Sequence, residues 1–278
     1  MAGLKGTVCE IIVIGNEILN GSIKDTNSGW LAARLHELGL SLRRITTVRD
    51  DVSEISKAIK EAVRRGTKWI ITSGGLGPTF DDITLEAVAK AVGRKLVVNQ
   101  EAVKMLKERY ERLYAQGVIK DAELTRSRLK MAIMPKGATA LRNNAGSAPG
   151  CLVKAKGVNI VSLPGVPREL VDIFENEVKP RIEQEAKRLY RVRIWLNVKG
   201  VPESVYAQEL EKIYRSLRGK VYLKSHPQGI IDGVSATRIE LVGEELTREK
   251  AEANLIKAEQ MVRKMLEKLG AIEVRVER

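Results

Sequence analysis

The chain has 278 residues, of which 44% are hydrophobic and 30% charged, which excludes a disordered or fibrous protein and provides enough core for two domains. Its net charge of +13 raises nucleic acid or an anionic small molecule as partners. Both halves are basic, no polybasic tail is present, and Trp and Phe are too few for obvious base-stacking platforms, so nucleic acid is disfavoured. The first apolar run, Val8 to Ile14, is too short and too soon interrupted for a signal peptide, and no stretch approaches membrane-spanning length. A cytoplasmic protein without membrane contact is expected. Cys9 and Cys151 lie in separate apolar runs and are expected as buried free thiols.

Cys9 to Ile14 is a first strand ending in the polar turn Gly15-Asn16-Glu17. Asp25-Thr26-Asn27 offers N-cap chemistry to a helix with Leu31, Leu35 and Leu38 on one face, stopped by Gly39. A strand near Ser41 to Val48 gives way to Arg49-Asp50-Asp51, and Ile55, Ile59 and Val63 mark the next helix, before Gly66. Trp69 to Thr72 then forms a short apolar strand, followed by three glycines and a proline and by the helical spacing of ITLEAVAKAV. Near-continuously apolar strands in a βαβαβα run predict a mainly parallel sheet covered by helices on both faces. Farther on, Lys95 to Val98 reads as a short apolar run, Asn99 caps a helix through Tyr114, and a basic, polar helix is expected over about Asp121 to Lys130. The glycine-rich segment NNAGSAPG precedes two strand-like runs, CLVKA and VNIVSL, and Pro164-Gly165-Val166-Pro167 leads into a helix.

Past residue 185 the order becomes βαββαβ, which suggests a small ferredoxin-like or KH-like sandwich. An RNA-binding KH domain would carry a Gly-x-x-Gly loop between helices, and the sequence has none there. Packing, dimerisation or cleft cover is the expected role, with domains over 1–180 and 181–278.

The stretch WIITSGGLGPTFDDIT carries the chemistry. Gly74, Gly75 and Gly77 leave backbone N–H groups open to an anion, at the strand end where α/β folds bind ligands. The loop is neither a Walker A motif nor a Gly-x-Gly-x-x-Gly fingerprint. A strained turn requiring positive φ is the competing explanation of the glycines. Asp81 and Asp82 are odd companions for a phosphate. One of them suffices to cap the helix that follows, and Asp50 or Asp51 has the same capping explanation. If the strands share one sheet, Asp82, Asp81, Asp50 and Glu17 emerge on one edge, and a divalent cation reconciles them with phosphate. Thr79, Asn27, Asn144, Gly146, Ser147, Pro164 and Gly165 complete the expected phosphate or substrate site. His36 and His226 have no metal-ligand spacing, and no Gly-x-Ser-x-Gly elbow is present, so zinc and serine-hydrolase chemistry are disfavoured.

In order, GNEILNG with DTN, TTVRDD, SGGLGPTFDDIT, NNAGSAPG and LPGVPREL resemble the motif series of the CinA family's N-terminal domain, a member of the molybdopterin-binding MoaB/MogA superfamily. The resemblance covers roughly residues 8 to 175, and the second domain looks like the KH-type domain that follows in CinA proteins. It implies a three-layer α/β/α domain, and it places Asp82 and Asp50 at the ligand's phosphate chemistry. For CinA-type domains it further implies hydrolysis of ADP-ribose to AMP and ribose 5-phosphate with Mg²⁺ or another divalent cation. The alternative is non-hydrolytic binding of molybdopterin or another phosphorylated pterin. A small-molecule nucleotide or pterin partner and a homo-oligomer, with a dimer favoured, are expected. The family's C-terminal amidohydrolase domain has no counterpart in this sequence, so deamidation of nicotinamide mononucleotide is not expected. The family's usual Gly-Asp-Glu is Gly15-Asn16-Glu17 here, which keeps the shape but removes a charge expected to serve the metal.

Overall fold

The structure, a computed structural model, describes residues 6–277. It divides into two compact units, Thr7–Ala186 and the residues from Lys187 onward together with Gly6. The division falls where the last helix of the first unit has ended.

In the first unit the chain runs β1 (Val8–Ile14), α1 (Asn16–Leu19), α2 (Asn27–Glu37), β2 (Ser41–Val48), α3 (Val52–Arg64), β3 (Trp69–Ser73) and α4 (Thr84–Val92). It continues through β4 (Leu96–Val98), α5 (Gln100–Ala115), α6 (Arg126–Lys130), β5 (Ile133–Pro135), β6 (Thr139–Leu141), β7 (Gly150–Ala155) and β8 (Val158–Leu163). It closes with α7 (Pro167–Ile173), a π-helical turn at Phe174–Val178, and α8 (Lys179–Glu185).

The main sheet has the order β2-β1-β3-β8-β7-β6. The first four of these strands are parallel, and β7 and β6 join antiparallel at the edge. The sheet is therefore mainly parallel, as its apolar strands predict. Every residue of β1 is buried, so both faces of that strand must be covered. Alternation divides the strand's side chains: Ile12 and Ile14 pack with Ile55, Ile59, Val88 and Leu106 from α3, α4 and α5. Cys9, Ile11 and Val13 pack on the opposite face with Leu31 and Leu35 from α2 and with Leu170 and Phe174. Three layers follow from this period of two. β4 and β5 form a separate antiparallel pair.

Two local expectations change. The helix expected over Asp121 to Lys130 is confined to Arg126–Lys130, because Thr125 caps it through the Arg128 N–H at 3.3 Å and Asp121 serves Arg128 from the preceding loop. The turn at Asn16 and Glu17 is wound into the single helical turn α1. Both cysteines are buried free thiols, and burial pushes the Cys151 thiol up to about 12.

The second unit contains β9 (Tyr190–Lys199), α9 (Glu203–Ser216), β10 (Val221–Ile231), β11 (Val234–Glu245), α10 (Arg248–Lys268) and β12 (Glu273–Glu277). Its sheet has the order β10-β11-β9-β12 and is antiparallel throughout. This is the ferredoxin-like arrangement of a βαββαβ chain. Ile194, Leu196 and Val198 point toward α9 and α10, where Tyr206, Leu255, Ala258 and Val262 complete a core. Among the described residues no helix is long and apolar enough to cross a membrane.

Candidate functional site

The sheet order of the first unit locates the site. From β1 the chain passes to β2 on one side and later to β3 on the other, so strand order reverses between β1 and β3. Connections leaving the carboxyl ends of those two strands diverge and leave a crevice, the usual ligand position in open α/β sheets. A cavity of about 810 Å³ lies there. All four parallel strands supply its walls through the segments that follow them: Glu17 after β1, Asp50 after β2, Ser73 to Gly77 after β3, and Pro164 to Glu169 after β8. Gly146 and Ser147 enter from the segment between β6 and β7.

The loop after β3 is held by its own geometry. Gly74 has φ of +108° and its N–H donates to the Leu163 carbonyl at 3.0 Å. A Cβ there would lie 2.3 Å from the Ile14 carbonyl oxygen. Gly75 has φ of +69°, and its Cβ would meet Thr84 Oγ1 at 2.3 Å. That hydroxyl donates to the Gly74 carbonyl at 2.8 Å and so ties the loop to the start of α4. Strain and close packing thus account for Gly74 and Gly75 as residue types. They do not account for the amides: among the described residues, the N–H groups of Gly75, Leu76 and Gly77 have no hydrogen-bond partner, and all three residues line the cavity. An anion seated there satisfies donors that the fold leaves open.

The two aspartate pairs separate by role. Asp51 caps α3, accepting from the N–H groups of Ser53 at 2.8 Å and Glu54 at 2.9 Å. Asp50 is thereby released to the cavity wall, where it accepts the Asn16 N–H at 2.8 Å and joins the ends of β2 and β1. Neither Asp81 nor Asp82 caps α4, whose N-cap position is Ile83. Asp82 instead accepts the N–H of Thr79 at 2.8 Å and its hydroxyl at 2.6 Å, an internal clasp that keeps the carboxylate on the wall. The Thr79 hydroxyl, which also reaches Asp81, holds the Asp81 carboxyl below its usual range.

Asn27 fastens the crevice from the other side. Its Nδ2 donates to Ser73 Oγ at 3.0 Å and to the Gly165 carbonyl at 2.8 Å, bridging the connections after β1, β3 and β8. Asp25, rather than Asn27 or Thr26, caps the first turn of α2 through the Ser28 N–H at 3.0 Å.

Of the expected site residues, Asp82, Asp81, Asp50, Glu17, Gly74, Gly75, Gly77, Asn27, Gly146, Ser147, Pro164 and Gly165 all line the cavity. Thr79 and Asn144 do not. Thr79 is turned onto the two aspartates, and Asn144 onto Asp172, whose carboxylate accepts its N–H at 2.7 Å. Gly146 is present for another reason than ligand binding, since its N–H donates to Asn143 Oδ1 at 2.7 Å and its missing side chain leaves room for Glu169. The sequence reading missed Arg109, Tyr110, Arg168 and Glu169, which also line the cavity. Gly146 was the one available signal, because a glycine facing a carboxylate allows that close approach.

Among the described residues, no three His, Cys, Asp or Glu side chains converge as an all-protein metal cage. The donor set suits a different use. Asp50 and Asp82 each have oxygen lone pairs left after the bonds described above, and Mg²⁺ takes one or two carboxylates together with waters and ligand phosphate oxygens.

Residues 10–184 match the family model described as a probable molybdopterin binding domain. A protein of Pyrobaculum aerophilum is 43% identical over 92% of this chain and 92% of its own, and one of Sulfurisphaera tokodaii is 40% identical over 96% and 95%. Among solved structures, the protein CinA of Thermoplasma acidophilum, described as having unknown function, is 35% identical with a TM-score of 0.56 and covers 63% of this chain and 98% of its own. The three-layer fold agrees with these matches, and the chain belongs to the family of probable molybdopterin binding domains, with a CinA-like first unit.

Proposed function

We propose that the switch-point cavity binds a phosphorylated pterin of the molybdopterin class. The observation that carries this is the run of open amides at Gly75, Leu76 and Gly77, three residues that line a cavity of ligand size. Phosphate oxygens accept several N–H groups at once, which a neutral group does less well. Ile18, Ile23 and Val166 add apolar wall beside this polar floor, where a heterocycle loses water without losing hydrogen bonds.

A second reading, hydrolysis of diphosphates such as ADP-ribose, is favoured by one observation: Glu17, Asp50, Asp81 and Asp82 share the cavity wall. Four carboxylates oppose phosphate binding unless a cation offsets them. Asp50 and Asp82 would hold a divalent cation, and such an ion would supply charge neutralisation and a more acidic bound water.

One experiment separates the two. The protein is titrated with a phosphorylated pterin, and in parallel incubated with ADP-ribose with and without Mg²⁺, Mn²⁺ or Co²⁺ and assayed for AMP. Saturable pterin binding without AMP formation is the expected result. Cation-dependent AMP formation that disappears in Asp82→Asn establishes the second reading, and neither binding nor AMP overturns both.

A further inference from the structure

β4 stands apart from the main sheet, paired only with β5, and its three residues are all apolar and all exposed: Leu96 at 38%, Val97 at 40% and Val98 at 51%. Side chains alternate along a strand, so both of its faces are open to solvent. One side of its backbone is open as well. The Lys95 carbonyl accepts the Lys136 N–H at 2.8 Å, and the Asn99 N–H donates to the Ala132 carbonyl at 2.8 Å. Lys95, Val97 and Asn99 therefore turn their hydrogen-bonding groups toward β5, with Val97 opposite Met134. Leu96 and Val98 alternate with them and turn theirs away; Pro135, opposite Leu96, has no N–H to offer. Among the described residues these outward N–H and C=O groups have no partner. Proteins normally blunt such an edge. Other strands here do so: β2 carries Arg43 and Arg44, β12 reads Glu-Val-Arg-Val-Glu, and β10 contains Pro227 and a bulge. β4 has no charge, no proline and no bulge.

We infer that two copies of this chain pair antiparallel through β4, across a two-fold axis at Val97. In that register Leu96 lies opposite the partner's Val98, and Val98 opposite the partner's Leu96, both as hydrogen-bonded pairs, so an identical edge uses every outward group. Val97 meets the partner's Val97 on the other face. The ends of the strand match in charge. Lys95 precedes β4 and Glu101 follows it in the first turn of α5; both are exposed, and neither has an ion-pair partner among the described residues. Antiparallel pairing sets the basic end of one edge against the acidic end of the other, whereas parallel pairing sets like against like. Three residues a side bury less than the roughly 1,200 Å² of a stable interface, so the dimer is reversible and depends on concentration. This places self-association in the first unit, where the sequence suggested it for the second, and it stands independently of what the cavity binds.

Sedimentation velocity of the full chain from about 1 to about 500 μM tests this, and a monomer–dimer equilibrium with a micromolar Kd is the expected result. Val97→Arg, which sets two charges together on the axis, should weaken association at least about tenfold, with thermal melts establishing that the variant folds. Lys95→Glu should also weaken it, and Lys95→Glu combined with Glu101→Lys should restore it. The register is read by cross-linking. Both native cysteines are buried, so an introduced thiol is the accessible one. Under mild oxidation Val97→Cys should give a disulfide-linked dimer, because Cα atoms of a non-hydrogen-bonded pair lie about 4.5 Å apart. Leu96→Cys, more than about 8 Å from its counterpart, should not. A chain that stays monomeric at every concentration, a dimer that persists in Val97→Arg, or cross-linking as efficient at position 96 as at 97 overturns the inference.

Discussion

Asp50 and Asp51 are adjacent in sequence and opposite in employment. Asp51 holds two N–H groups at the start of α3, and Asp50 spans the ends of β2 and β1 at the cavity. Asp51→Ala should therefore lower stability by about 1 kcal/mol in urea unfolding and leave ligand affinity nearly unchanged. Asp50→Asn should do the reverse, because an amide can still accept the Asn16 N–H while its charge is gone. The sequence offered one cap and one surplus carboxylate in each pair; that holds for Asp50 and Asp51, without the sequence saying which was which, whereas neither Asp81 nor Asp82 caps α4. That choice depends on where the neighbouring strand ends.

A second residue-scale prediction lies at the start of β1. Glu10 is 1% exposed and accepts Arg65 Nε at 3.0 Å, Arg65 Nη2 at 2.7 Å and the Thr67 hydroxyl at 2.6 Å. Burial alone would raise its carboxyl, and the Arg65 and Thr67 hydrogen bonds outweigh burial and hold it below the ordinary range. With a lowered folded pKa, its contribution is fully present above the unfolded value of about 4.3 and is lost as pH falls through the folded one. Glu10→Gln should cost about 2 kcal/mol at pH 7, less than a fully buried pair because Arg65 remains partly exposed. The gap between wild type and variant should close as chemical unfolding is repeated at pH values falling below about 4.

At the scale of elements, the loop between β3 and α4 is built before any ligand arrives. Gly74 is fixed by β1 through the Ile14 carbonyl and by β8 through Leu163, and Gly75 by the Thr84 hydroxyl. Gly74→Ala adds a methyl against backbone at positive φ and is expected to destabilise by about 2 to 3 kcal/mol, read as a lowered urea midpoint. Strand and helix positions here were legible because β1, β3 and α4 carry unbroken apolar patterns and the glycines punctuate them. The segment from Asp121 was less so, since a run of polar residues has no periodicity to mark where Thr125 takes over as cap. Arg109 was invisible for a related reason: one arginine on a charged amphipathic helix looks like any other until α5 is placed against the cavity.

For the whole molecule, the order of strands decides function more than any single motif. Four of the five motifs become one site because β1, β2, β3 and β8 run parallel and end at the same edge, and the fifth reaches it from the segment between β6 and β7. The parallel sheet was legible from composition, whereas the antiparallel β6 and β7 were not, because buried strands of either direction read as short apolar runs. Some of the basic side chains are already paired with carboxylates. In the second unit, the sheet face away from α9 and α10 is laced by ion pairs: Arg191 with Glu244 at 2.7 Å, Arg193 with Glu240 at 2.9 Å and Arg238 with Glu277 at 2.8 Å. Trp195 on that face is covered by the Arg238 guanidinium at 4.5 Å and by the His226 ring at 5.3 Å. Cations already facing carboxylates release few counterions on meeting a polyanion. Single-stranded RNA should accordingly show no saturable binding near 150 mM salt in a filter-binding assay.

The central claim is that the amides of Gly75, Leu76 and Gly77 form the floor of a phosphate site within a pterin-sized cavity. Calorimetric titration of the wild-type chain with a phosphorylated pterin and its dephosphorylated counterpart tests this most directly. The account predicts that the phosphorylated compound binds at least about tenfold more tightly, a difference of about 1.4 kcal/mol. Equal affinity for the two compounds, or no binding of the phosphorylated one, would contradict it.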